Sequence, residues 1–159
     1  MLVPEAIRFN STPLLATWSP ETIISSRAHI LRANTDLERS LCTWLNSTFG
    51  IIWLRIIFTT LEEKFGHIYG WHLRILRIPD FRNASISKRF NKIFDKYFQF
   101  NWAPLPEQYE RVINGTDFRR LEYDLDVIRA ISETSGLDFD EKETKIVLMA
   151  IYSELLGML

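Results

Sequence analysis

Cysteine, histidine and glycine are all scarce in this sequence, and each shortage removes a class of chemistry. One thiol, Cys42, among 159 residues allows neither an internal disulfide nor a cysteine-built zinc site. The three histidines, His29, His67 and His72, lack the spacing of a metal-ligating set, so each reads as a structural or surface side chain. Six glycines stand singly, which leaves no glycine-rich loop of the kind that cradles phosphates or dinucleotides, and no serine-hydrolase elbow is present. Excess charge of one sign is missing too. Nineteen Lys and Arg face twenty Asp and Glu, for a net charge of -1, so any nucleic-acid site has to be a local basic patch.

No apolar run is long enough to cross a bilayer of about 30 Å. The nearest, Leu41 to Leu61, is interrupted by Arg55 and reads as buried helix. The opening Met1 to Glu5 has no basic stretch leading into an apolar core, so the expected compartment is the cytoplasm. What the chain does have is 47% apolar residues, 13% aromatics and 25% charged residues. That composition suits one compact domain over residues 1-159, with a part spanning 1-82 and a part spanning 83-159.

The expected fold class is α+β, with a strand-rich N-terminal part, a long central helix and a helical C-terminal part. β-prone segments broken by Pro4, Pro13 and Pro20 predict strands near Leu2 to Phe9, Leu14 to Trp18, Ile23 to Ser25 and His29 to Arg32. Thr35 with Glu38 reads as a capping box that opens the central helix. Leu37, Leu41, Trp44, Leu45, Thr48, Phe49, Ile52 and Ile56 then recur at helical steps to about Thr60. Cationic and apolar residues alternate over part of His72 to Pro79, which predicts a strand with one wet face. Ser85 to Phe100 predicts an amphipathic helix with Ile86, Phe90, Ile93, Phe94 and Tyr97 inward and Lys88, Arg89, Lys92 and Lys96 on its polar side. Asp117 to Thr134 predicts a further helix that leaves through Gly136. A last one is capped by Asp138 with Glu141 and turns Ile146, Val147, Ala150, Ile151 and Leu155 inward.

Few residues carry chemistry. Cys42 sits between Leu41 and Trp44 and reads as a small buried hydrophobe. Asp80 followed at long range by Asp140-Glu141-Lys142 or Glu143-Thr144-Lys145 is the nearest approach to a metal-dependent nuclease, and its second half sits where helix starts favour acids anyway. Glu62-Glu63-Lys64 and Arg119-Arg120-Leu121-Glu122 read as solvated helix faces. What remains is cationic: Arg27, His29 and Arg32 beside one strand, Arg74 and Arg77 in another, and Lys88, Arg89, Lys92 and Lys96 on a helix. Such clusters supply phosphate contacts, and arginine can read guanine edges.

The order of two runs carries a resemblance: Leu2-Val3-Pro4-Glu5-Ala6-Ile7-Arg8-Phe9-Asn10-Ser11-Thr12, then Leu41-Cys42-Thr43-Trp44-Leu45-Asn46-Ser47-Thr48-Phe49-Gly50. With Leu73-Arg74-Ile75-Leu76-Arg77-Ile78-Pro79-Asp80 and the segment Arg119 to Ile131, the chain resembles the target-recognition region of N6-adenine DNA methyltransferases of type I and type IIG restriction-modification systems. That family's Asn/Asp-Pro-Pro-Tyr/Phe element and its glycine-bearing loop for S-adenosylmethionine have no counterpart in this sequence. The resemblance therefore implies a DNA-recognition module without its own catalytic motif or cofactor, S-adenosylmethionine belonging to a catalytic domain outside this chain. Asn46, Ser47 and Thr48 match the family's shared turn and read as fold-determining.

The expected partners are double-stranded DNA and a methyltransferase domain or subunit, with a homodimer left open and no membrane. Arg8, Arg27, His29, Arg32, Arg74 and Arg77 are the candidates in the strand region, and Lys88, Arg89 and Lys92 those for positioning on phosphate. The alternative is an assembly subunit in which Trp44, Trp53, Phe58, Phe65, Tyr69 and Trp71 form an interface.

Overall fold

The computed structural model describes residues 1–8, 10–21, 24–58 and 66–158. Its architecture is α+β, dominated by helices, with small antiparallel pairings at the N-terminal end. Strand β1 (Leu2–Pro4) pairs with β3 (Ala28–Ile30), Val3 facing His29 across the ladder. Strand β2 (Ala6–Ile7) pairs with β4 (Gly66–His67). The predicted strands shrink to these pieces. Leu14 to Trp18 contributes one bridge, Thr17 to Leu2, and Ile24 and Ser25 belong to no strand. Phe9 and Ile23 lie outside the described residues. Pro4, which lacks a ladder donor, is the last residue of β1.

The predicted central helix is two helices, α1 (Thr35–Asn46) and α2 (Thr48–Phe58), parted at Ser47; Thr59 and Thr60 lie outside the described residues. Helix α1 is capped by Asn34 rather than Thr35, because the Asn34 Oδ1 accepts from the Leu37 amide at 2.8 Å. Glu38 instead accepts from the Ala33 amide at 2.8 Å and from the Trp18 indole N–H at 3.1 Å. At the break the Ser47 hydroxyl donates to the Trp44 carbonyl at 2.6 Å and accepts from the Gly50 amide at 3.2 Å. One side chain thus closes α1 and opens α2. Gly50 makes the elbow sterically possible, since a Cβ there would stand 2.3 Å from the Trp44 carbonyl oxygen.

The run predicted as a strand from His72 to Pro79 begins as helix α3 (Gly70–Ile75) and continues without regular structure. The His72 Nδ1 accepts from the Tyr69 amide at 3.0 Å, a local bond that a strand would forgo. Helix α4 (Ala84–Tyr97) buries the five side chains expected of it, Ile86, Phe90, Ile93, Phe94 and Tyr97. Helix α5 (Leu105–Ile113) had no counterpart among the predicted elements. Pro104 and Pro106 look like breakers, yet Pro106 lies in the first turn, where a missing N–H costs nothing. Helix α6 (Arg119–Ser135) ends at Gly136 with φ 66°, the left-handed exit glycine permits. Helix α7 (Glu141–Met158) is capped by Asp140, not Asp138. It turns Leu148, Tyr152 and Leu155 inward, while Ile146, Val147 and Ala150 stay exposed.

A main core joins the strands to α1, α2, α5, α6 and α7, and a second cluster of Phe81, Ile86, Phe90, Ile93, Tyr97, Tyr123, Val127 and Ala130 fills the space between α4 and α6. Cys42 is buried as expected, and burial pushes its thiol up to about 12. Arg120, expected on a solvated face, is instead buried, with Asp124, Thr48 and Tyr152 buried around it. Its guanidinium donates to the Asp124 carboxylate at 3.0 Å, to the Thr48 hydroxyl at 2.8 Å and to the Asn46 carbonyl at 2.9 Å. Asp124 also accepts from the Thr48 amide at 2.9 Å, the Thr48 hydroxyl at 2.5 Å and the Tyr152 hydroxyl at 2.8 Å.

Each guanidinium nitrogen of Arg120 and both carboxylate oxygens of Asp124 have a partner, which is what makes a buried ion pair tolerable. Asp124→Ala is expected to destabilise the chain by about 3–5 kcal/mol, because the guanidinium would be left buried and unpaired. Urea unfolding should also show Arg120→Met with Asp124→Leu to be less destabilised than the two single variants sum to; additivity would contradict the coupling. Gly50→Ala is expected to cost about 1–3 kcal/mol by the same measurement, since the methyl meets rigid backbone.

Candidate nucleic-acid interface

Asn83 starts α4 by accepting from the Ser85 amide at 2.9 Å. With the apolar side of α4 committed to the core, Lys88, Arg89, Lys92 and Lys96 line its outer flank. The opposing flank of α6 carries Asp126, Arg129 and Glu133, and an open groove of about 450 Å³ lies between the two helices. Five cations thus face two carboxylates, on a chain whose net charge is -1.

The cations differ in how they are held. Lys96 reaches Asp126 at 2.9 Å, and Arg129 bridges Asp126 at 3.0 Å and Glu141 at 2.8 Å. The Tyr97 hydroxyl donates to the same Asp126 at 2.9 Å, and burial pushes it up to about 12. The neighbouring Tyr97 hydroxyl and the Asp126 carboxylate raise the Lys96 ammonium above its ordinary range. Arg89 is paired with Glu133. Lys88 and Lys92 make no ion pair with any described residue, and both are exposed. One helical turn apart, they stand about 6 Å from each other along the axis.

Of the residues expected at a DNA site, the groove brings together Lys88, Arg89 and Lys92. The strand-region candidates are not part of it. Arg8, Arg27, Arg32, Arg74 and Arg77 are exposed, the last two on and just after α3. His29 is half-buried, with its Nε2 2.6 Å from the Ile68 carbonyl, and so ties β3 to the segment after β4. Lys96 and Arg129 are the groove cations absent from the expected set. The 88-92-96 spacing carried a signal for the first, whereas Arg129 was hidden among the mixed charges of α6.

Among the six aromatics of the alternative reading, Trp44 stacks on Phe49 with centroids 6.3 Å apart against the second core cluster. Trp53 is half-buried, and Tyr69 and Trp71 are 51% and 55% exposed. Phe65 and the side chain of Phe58 lie outside the described residues. Among the described residues no helix is long and apolar enough to cross a membrane, and no three His, Cys, Asp or Glu side chains gather to hold a metal ion. No family model, no curated protein and no solved structure matches the chain.

Beside the exposed Tyr69 and Trp71, His72 is buried and accepts from the Tyr69 amide through Nδ1. Burial holds its pKa below the ordinary 6.5. The folded chain thus favours the neutral ring, so this contribution to stability is present above the unfolded value and is lost as pH falls through the lower folded value. The hydrogen-exchange protection of the Tyr69 amide is expected to fall as pH is lowered below 6.5 through the lower folded value, and protection that stays constant until the chain itself unfolds in acid would contradict the capping role.

Proposed function

We propose that this chain is a sequence-specific DNA-recognition module that positions duplex DNA for an adenine methyltransferase domain or subunit supplied outside it. The observation that carries the reading is the pair Lys88 and Lys92, exposed and without carboxylate partners in the groove between α4 and α6. Lysines so placed neutralise phosphates and release counterions, which supplies affinity and register but no base preference. Arg89 adds a third contact once it leaves Glu133.

Sequence preference then falls to exposed arginines outside the groove, Arg8, Arg27, Arg32, Arg74 and Arg77, whose planar forks suit guanine edges. His29 contributes less, being held by the Ile68 carbonyl. The order of motifs that resembles the target-recognition regions of adenine methyltransferases supports the same reading. It also assigns S-adenosylmethionine to the partner, while the single thiol, Cys42, fits the cytoplasm as the compartment. A second reading, an assembly subunit, is favoured by the exposure of Tyr69 and Trp71 alone.

Binding to a randomised duplex pool at two salt concentrations tests the proposal. Affinity should fall steeply with salt, and Lys88→Ala and Lys92→Ala should each weaken binding to every sequence and lower the logarithmic salt slope by about 1. Substituting a base-reading arginine should instead relax one position of the enriched motif by about 1–3 kcal/mol. Absence of binding at low salt, or a double lysine variant with unchanged slope, would overturn it.

A further inference from the structure

We propose that the outward side of α3, formed by Tyr69, Trp71 and Arg74 with Arg77 just beyond the helix, is a platform on which unpaired bases of a nucleic-acid strand stack. The proposal rests on the nucleic-acid reading above, but on different residues. Leu73 of α3 and Leu76 at its C-cap pack against the main core, and His72 is buried. Its other side leaves Tyr69 51%, Trp71 55% and Ile75 53% exposed, on a span of seven residues that is small for so much apolar surface. Large rings left in water on a folded chain mark a binding surface.

The two rings are also fixed. The buried His72 ring lies 3.7 Å from the Trp71 ring centre and 5.5 Å from that of Tyr69, and His67 stacks with Tyr69 at 6.2 Å. Held this way, they lose little freedom when a flat ligand settles on them. Their electrostatic surroundings choose the ligand. No Asp or Glu occurs between Gly66 and Pro79, and Arg74 and Arg77 make no ion pair with any described residue. Flat rings beside guanidinium groups that pair with no described carboxylate match the two parts of a nucleotide, a π-face and a phosphate.

Paired bases keep their faces stacked inside the duplex and offer only their edges in the grooves. The platform therefore selects nucleotides that have left the stack, in a bulge, a mismatch or a single strand. The groove between α4 and α6 grips phosphates irrespective of pairing, so the two surfaces should separate experimentally.

The probe is a DNA duplex carrying a three-base bulge with 5-iodouracil at its centre, compared with the same duplex fully paired. The full chain should bind the bulged duplex more tightly, by about tenfold for each base stacked. Long-wavelength irradiation should place the crosslink on Tyr69 or Trp71. Trp71→Ala should abolish the preference and Trp71→Phe retain part of it, while Lys88→Ala with Lys92→Ala lowers affinity for both duplexes and leaves their ratio unchanged. Equal affinities with intact duplex binding, or crosslinks mapping elsewhere, would overturn the platform and leave the DNA-recognition reading standing. Absence of binding to either duplex would overturn both. A Trp71→Ala variant that keeps the preference but loses self-association in sedimentation would assign this face to a second copy of the chain instead.

Discussion

A guanidinium and a carboxylate withdrawn completely from water can be tolerated only where each of their polar atoms is met, and the way Arg120 and Asp124 are met organises the helices around them. Arg120 takes the carbonyl of Asn46 at the end of α1 and the hydroxyl of Thr48 at the start of α2, while Asp124 takes the amide and hydroxyl of Thr48 and the hydroxyl of Tyr152 on α7. The Tyr109 ring of α5 flanks the guanidinium at 5.5 Å, and the Tyr123 ring of α6 at 5.6 Å. The elbow at Ser47 is therefore held from a distance as well as locally. Rotation of α6 about its axis is fixed by the same contacts.

That fixed rotation has a consequence on the surface. With Arg120, Asp124 and Val127 directed inward, Asp126, Arg129 and Glu133 must face α4 across the second core cluster. The carboxylates of α6 then pair with Lys96, Arg89 and Arg129, and Lys88 and Lys92 pair with none of the described carboxylates. A buried ion pair thus determines which surface cations remain available for phosphate. The proposed DNA contacts depend on this partition more than on the overall charge, which is -1.

How much of this could be read from residues alone depends on how local the cause is. Helix α4 was legible, inward face included, because a 3.6-residue period set by Ile86, Phe90, Ile93, Phe94 and Tyr97 is a local signal, although it ends at Tyr97 and not at Phe100. The division of α1 from α2 was not, since Thr48, Phe49 and Ile52 continue the period across Ser47. What ends it is a hydroxyl bond, a glycine under a carbonyl and contacts from residues more than seventy positions away. Arg120 was misread because its neighbours Arg119 and Glu122 are ordinary surface charges; only the aspartate one turn later hinted at a buried partner. The alternation of Leu73 to Ile78 suggested a strand, and the histidine cap of α3 prevailed. In the candidate interface the lysines of α4 were visible in the pattern, whereas the opposing wall of α6 required the fold.

The account's central claim is that phosphate is gripped by the groove between α4 and α6, and a titration of the isotopically labelled chain with a short duplex of arbitrary sequence at low salt tests it most directly by NMR. Amide and side-chain shifts should move first along Lys88 to Lys96 and along Asp126 to Glu133, and should return toward their free positions as salt is added. Shifts that gather on α7 or on α5, or a spectrum unmoved by a large excess of duplex, would contradict it.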